Sequence, residues 1–233
     1  MISDQELKTN IERVKRNIAE AAARAGRNPD EILLLGVTKT VEPEIMQKSY
    51  DYGITHFGEN RVQEYIRKSD IVKRDCSWHI IGRLQTNKVK YLDRRIYLIH
   101  SLDRISLAEA LQARGEKIGY VFPVLVQVNV SGESTKAGIA PENLKDFLLS
   151  ISKMGNINVR GLMTIAPYTN VPEEVRHIFR KLKKLSVDIA GERIENISME
   201  ELSMGMSGDY AIAVEEGATI VRIGSAIYGE RIY

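Results

Sequence analysis

Apolar residues along this chain recur with two periods that alternate. Ile11, Val14, Ile18 and Ala22 stand three or four apart within residues 7–25, the spacing of one helix face, so an amphipathic helix is predicted to open the chain. Ser3 and Glu6 form a capping box ahead of it, and Gly26 a stop behind it. Short β-branched runs follow, each ending in polar or glycine residues: Ile32–Thr38, Thr55–Gly58, Trp78–Ile81, Tyr97–Ser101, Val121–Val130, Val159–Ile165, Glu201–Met204 and Thr219–Ile223. Helical spacing fills the intervals. It is clearest at Val175, Ile178, Phe179, Leu182, Leu185 and Ile189, and again at Leu107, Ala110 and Leu111.

Strand and helix alternating eight times imply parallel strands joined by right-handed crossovers, and eight such strands can close on themselves. The expected fold class is therefore α/β: a single (β/α)8 TIM barrel with an extra N-terminal helix, filling residues 1–233 as one domain. An open doubly wound sheet is the competing arrangement, and it hinges on the weak runs at Thr55, Tyr97 and Glu201. No Gly/Ser/Pro-rich linker or sequence repeat interrupts the series.

Charge narrows the ligand class. With 33 Lys+Arg against 31 Asp+Glu, the formal net charge of +2 argues against a nucleic-acid groove or a membrane surface, and a small ligand is expected. Lys181, Lys183 and Lys184 fall between apolar residues at helical spacing and read as a solvated helix face. Cys76 is the single cysteine, which removes any internal disulfide and fits a reducing cytoplasm. The first six residues lack a signal peptide's basic and apolar regions, and no stretch approaches 18 apolar residues.

Barrels of this kind place active groups where the strands end and the helices begin. That rule selects Lys39 and Thr40, Glu59 and Asn60, Gly82 to Gln85, and Asn129 to Lys136. It also selects Met163 and Thr164, Met204 to Asp209, and Arg222 to Ser225. Lys39 follows a run apolar enough to be buried on both faces, and desolvation favours the neutral amine that condenses with an aldehyde. A snorkelling lysine would sit there equally well. Gly224 and Ser225 stand where a strand gives way to a short helix, the usual barrel phosphate site. Ser207 suits either a donor to that phosphate or the N-cap of a helix over 209–216. Arg222 lies deeper, either facing a ligand or paired with a rim carboxylate. In Trp78-His79 one residue points inward and one outward, with His79 structural. His56, His100 and His177 show no metal-ligand spacing, and no metal is expected. Motifs of serine hydrolases, P-loops and Rossmann folds are missing.

Seven blocks in order resemble a known family. They are Gly36-Val37-Thr38-Lys39-Thr40; Phe57-Gly58-Glu59-Asn60 with Val62-Gln63-Glu64; Trp78-His79-Ile80-Ile81-Gly82 leading to Leu84-Gln85 and Asn87-Lys88; and Asn129-Val130 with Glu133 and Lys136-Ala137-Gly138. Gly161-Leu162-Met163, Leu202-Ser203-Met204-Gly205-Met206-Ser207 and Val221-Arg222-Ile223-Gly224 complete the set. The chain resembles the stand-alone PLP-binding homeostasis proteins, related to the N-terminal barrel of bacterial alanine racemase. The resemblance implies pyridoxal 5′-phosphate (PLP) as cofactor, with Lys39 the PLP-linked lysine and Arg222 near the pyridine nitrogen. It also implies Ser207, Gly224 and Ser225 at the phosphate, with Asn60 and Met204 lining the pocket. Ser225 replaces a threonine common in the family and keeps the hydroxyl; Arg61 replaces a common aromatic.

The expected role is storage, protection or delivery of PLP, and of other B6 vitamers, to apo-enzymes by a cytoplasmic monomer. No catalytic residue is assigned. In alanine racemase a second, β-rich domain supplies a tyrosine base from the partner subunit, and nothing after the eighth strand here could form it. A PLP-dependent amino-acid racemase and a lysine aldolase without PLP are the alternatives. Lys136, on the same rim as Lys39, is a candidate transient PLP acceptor.

Overall fold

A computed structural model describes residues 2–72, 75–133 and 136–229, so residues 134 and 135 of the expected fifth-strand rim lie outside the described set. The first helix, α1 (Asp4–Arg24), starts where Ser3 accepts the Glu6 amide and ends before Gly26, whose φ of 65° is the left-handed conformation glycine tolerates. Its Leu7, Ile11, Val14 and Ile18 stripe is buried.

Eight strands follow: β1 (Leu33–Val37), β2 (His56–Glu59), β3 (Ser77–Ile80), β4 (Ile96–Leu102), β5 (Phe122–Gln127), β6 (Ile157–Met163), β7 (Ile197–Ser203) and β8 (Ile220–Ile223). Each pairs with its sequence neighbour, and β1 pairs in parallel with β8 from Leu33↔Ile220 to Gly36↔Ile223, which closes the barrel. The crossovers are α2 (Pro43–Asp51), α3 (Val62–Ser69), α4 (Ile105–Ile118), α5 (Leu144–Ile151), α6 (Arg176–Gly191) and α7 (Tyr210–Glu215). After β3 a 3₁₀ segment, Thr86–Tyr91, takes the helix's place, and α8 (Ser225–Tyr228) follows β8. The closed ring settles the choice against an open sheet. Among the described residues no helix is long and apolar enough to cross a membrane.

The core has two compartments. A large one between strands and helices includes Phe57, Trp78, Phe122, Phe179 and Leu182. A small one inside the ring is built on Leu35, Leu98, Leu125, Met163 and Ile220. Trp78 packs outward against Tyr65 while His79 points inward, as strand alternation requires. The strand expected at Glu201–Met204 begins four residues earlier, at Ile197. Glu200 and Glu201 break the apolar run, but Glu201 pairs with Arg160 of β6 at 2.6 Å, so the strand continues through its charges.

Only glycine fits at position 161 of β6. A Cβ there would lie 1.8 Å from the Glu201 carbonyl oxygen of β7, and rigid backbone cannot yield as a flexible side chain would. Gly161→Ala is expected to lower the unfolding free energy by about 3 kcal/mol, the upper range for overpacking. Urea denaturation checks this, and a loss below about 1 kcal/mol would show that the β6–β7 ladder can part at little cost.

Candidate functional site

The carboxyl ends of the strands surround a cavity of about 920 Å³. Lys39 enters it after β1, Asn60 after β2, Lys136 from the β5 loop, Ser207 from the β7–α7 loop, Arg222 from β8, and Gly224 and Ser225 from the turn into α8. Met204 is the exception among the expected residues. Ser203 turns into the barrel, so its neighbour Met204 turns outward and is buried under the helices, while Met206 reaches the cavity instead.

The backbone presenting Lys39 is pinned from behind. Thr38 Oγ1 donates to Glu59 Oε1 at 2.7 Å, and Lys68 Nζ donates both to the Thr38 carbonyl at 2.8 Å and to Glu59 Oε1 at 2.9 Å. Lys68 and Glu59 are both fully buried. Burial pushes the Glu59 carboxyl upward, opposed by Lys68 and by the Thr38 hydroxyl. On the other side of Lys39, Thr40 sits at φ 67°, a left-handed conformation that a β-branched residue resists. Such strain, about 1–3 kcal/mol, persists only where surrounding bonds over-determine it. The Val41 amide donates to the Thr38 carbonyl at 2.9 Å and closes this turn around the lysine, which is itself half-buried.

Arg222 is 4% exposed, and its partners are neutral. Nη1 donates to Ser203 Oγ at 2.6 Å and Nη2 to the Thr164 carbonyl at 2.9 Å. Burial pushes its pKa down to about 10, partly offset by the field of Asp209, so the group stays a cation at neutral pH. The rim salt bridge considered from sequence is replaced by this neutral anchorage. Asp209 instead accepts the Met206 amide at 2.5 Å, and burial raises its carboxyl pKa.

Ser207 does not cap the following helix. The residue at that position is Asp209, and Ser207 Oγ accepts the amides of Gly224 and Ala226, both at 3.2 Å. Two acceptor sites so used leave the serine's own proton to donate into the cavity it lines. An amine, a donor-only guanidinium and two serine hydroxyls beside a turn of small residues suit a ligand with an electrophilic carbon, a neutral acceptor atom and an anionic group. The donor set therefore fits the cofactor that the sequence resemblance implies.

Rim residues overlooked from sequence are Gln127, at the end of β5, and Pro167, Tyr168 and Thr169 after β6. The Pro167-Tyr168-Thr169-Asn170 run carried the signal, being turn-forming chemistry directly behind an apolar strand. His56, His79 and His100 also proved to be connected through the barrel interior.

The match to known proteins extends over nearly the whole chain. Residues 9–232 match the family model described as alanine racemase, N-terminal domain. The chain belongs to this family. The pyridoxal phosphate homeostasis protein of Aquifex aeolicus is 50% identical over 224 residues, covering 96% of this chain and 97% of that one. PipY of Synechococcus elongatus, solved with PLP bound, superposes with a TM-score of 0.80 at 33% identity, over 91% of this chain and all of that one. The alanine racemase of Clostridium difficile 630 shares the fold alone, with a TM-score of 0.75 at 15% identity, over 98% of this chain and 58% of that one.

The pinning of Thr38 predicts a sharp energetic asymmetry. Lys68→Met should destabilise the fold by about 3–5 kcal/mol, because Glu59 is left as an uncompensated buried charge, whereas Lys68→Met with Glu59→Gln should recover part of that loss. Chemical denaturation of the three proteins at neutral pH is the check; a single variant no less stable than the double would overturn the pairing.

Proposed function

We propose that the protein binds PLP as a Schiff base on Lys39 and takes part in intracellular PLP homeostasis without an efficient catalytic cycle. The observation that carries this reading is the convergence of Lys39, Arg222, Ser207, Gly224 and Ser225 on one cavity. Two relatives support the reading: the A. aeolicus protein is named for pyridoxal phosphate homeostasis, and PipY was solved with PLP bound.

Each residue has a distinct task. Lys39 Nζ, when neutral, forms the C=N bond to the aldehyde carbon and water leaves. Ser207 donates its hydroxyl to the phosphate, with the Ser225 hydroxyl and the small Gly224 beside it. Arg222 donates to the pyridine nitrogen and, being donor-only, leaves that nitrogen unprotonated. When bound, PLP supplies an electron sink, weaker with such a partner than with an aspartate. Asn60 lines the same wall. Among the described residues Tyr168 is the tyrosine lining the cavity, and at 90% exposure it is open to water instead of held as a base. Reversible attachment suits a cytoplasmic monomer that passes PLP to apo-enzymes, with Lys136, on the same cavity, as a transient acceptor.

Borohydride reduction after PLP loading should fix the cofactor's mass on the peptide containing Lys39, and Lys39→Ala should lose both this adduct and the visible absorption band. Full retention of the band in the variant would overturn the lysine assignment. Steady turnover of an amino-acid enantiomer by the wild-type protein would instead establish a racemase.

A further inference from the structure

Behind Arg222 runs a file of polar side chains with no task in cofactor binding so far. Ser203 Oγ, which receives Arg222 Nη1 at 2.6 Å, lies 2.8 Å from His100 Nδ1. His100 Nε2 lies 2.9 Å from His79 Nδ1, and His79 Nε2 lies 2.9 Å from His56 Nδ1. Ser203, His100 and His79 are completely buried. His56 is half-buried and is the first residue of β2, at the barrel end away from the cavity.

Donor and acceptor rules assign a direction to this file. A guanidinium only donates, so Ser203 Oγ accepts from Arg222, and the serine's single hydrogen finds its acceptor at His100 Nδ1. A neutral His100 accepting there carries its proton on Nε2 and donates to His79 Nδ1; the same step repeats at His79 and delivers an N–H to His56 Nδ1. The reverse file, with every proton on Nδ1, would strip the Ser203 hydroxyl of that acceptor and leave a buried donor unpaired. It would also turn the positive ends of three ring dipoles toward the Arg222 charge. A mixed file would bring two N–H groups or two lone pairs face to face at 2.9 Å.

Neutrality of the rings follows from their surroundings. Burial above all, and then the charge of Arg222, holds His100 well below the ordinary imidazole range. Burial does the same for His79, with His100, His56 and Arg160 adding to it. Among the described residues no group of three or more His, Cys, Asp or Glu is placed to hold a metal ion, and the ring nitrogens meet one another at 2.9 Å.

We infer that Arg222, Ser203, His100, His79 and His56 form one hydrogen-bond relay of fixed polarity, each imidazole protonated on Nε2, with Ser203 and His100 as positioning residues for Arg222. The negative ends of the aligned rings face the guanidinium and stabilise a buried cation through neutral groups. With no carboxylate among the described residues bonded to it, the guanidinium keeps its cavity side for a neutral acceptor and selects a ligand presenting one. The relay deepens the PLP reading, and it rests on that reading only for the identity of the ligand Arg222 meets.

Long-range proton–nitrogen correlation spectra of the ¹⁵N-histidine-labelled, cofactor-free full chain at neutral pH test the relay directly. His56, His79 and His100 should show the Nε2–H pattern, with the exposed His177 as a reference ring outside the relay. Ser203→Ala should shift the ring nitrogens of His79 and His56 as well as those of His100. If that variant does not fold, His56→Ala applied at the far end should shift His100. An Nδ1–H pattern in any of the three rings, or changes confined to the ring next to the substitution, would overturn the inference. PLP uptake by the wild-type protein is read separately: failed uptake with the Nε2–H pattern intact overturns the cofactor assignment alone.

Discussion

The ladder between β1 and β8 is the interaction on which this molecule depends. Four residues of the first strand, Leu33 to Gly36, pair in parallel with Ile220 to Ile223 of the last, and this closure brings Lys39 and Arg222 from opposite ends of the chain to one cavity. Parallel strands have little reason to close unless both faces are covered. Here helices cover the outside, and a small apolar cluster with a file of histidines fills the inside. Geometry at the mouth is thus inherited from the ring rather than set by mobile loops.

Buried charge is handled in two ways on either side of the cavity. Beneath Lys39 an ion pair, Lys68 with Glu59, grips a backbone carbonyl and fixes the turn that presents the amine. Beneath Arg222 the anchors are neutral: a hydroxyl, a carbonyl and the rings behind them. The difference has a chemical logic. On the proposed reading, a lysine that loses its charge and attacks a carbon needs a rigid platform, whereas a cation that meets a neutral acceptor must not be claimed by a carboxylate.

Much of this was legible in the sequence because it lies in local pattern. Five of the eight strands announced themselves as clear apolar runs and those at Thr55, Tyr97 and Glu201 more weakly, and the rim rule applied to their ends picked out Lys39, Asn60, Ser207, Arg222, Gly224 and Ser225. Met204 was misjudged because the inward and outward parity of β7 depends on where that strand starts, and its charged beginning hid four residues. The anchoring of Lys39 by Lys68 could not be read, since an amphipathic helix places a lysine on its surface by default and only the barrel wall decides that this one is inside. The histidine file was equally hidden: the rings come from three different strands, and the stagger of a closed barrel, not sequence spacing, lines them up.

The grip of α1 on the end of the barrel has a temporal consequence. Asn10 donates to the Ile227 carbonyl at 3.1 Å and Arg13 to the Ala226 carbonyl at 3.2 Å, so the earliest helix braces the short turn that carries Gly224 and Ser225. Much of that helix packs against α7 and α8, the elements that emerge last in synthesis. A nascent chain therefore lacks part of the cavity wall until its two extremities have met, and on the proposed reading capture of a reactive aldehyde waits for that closure.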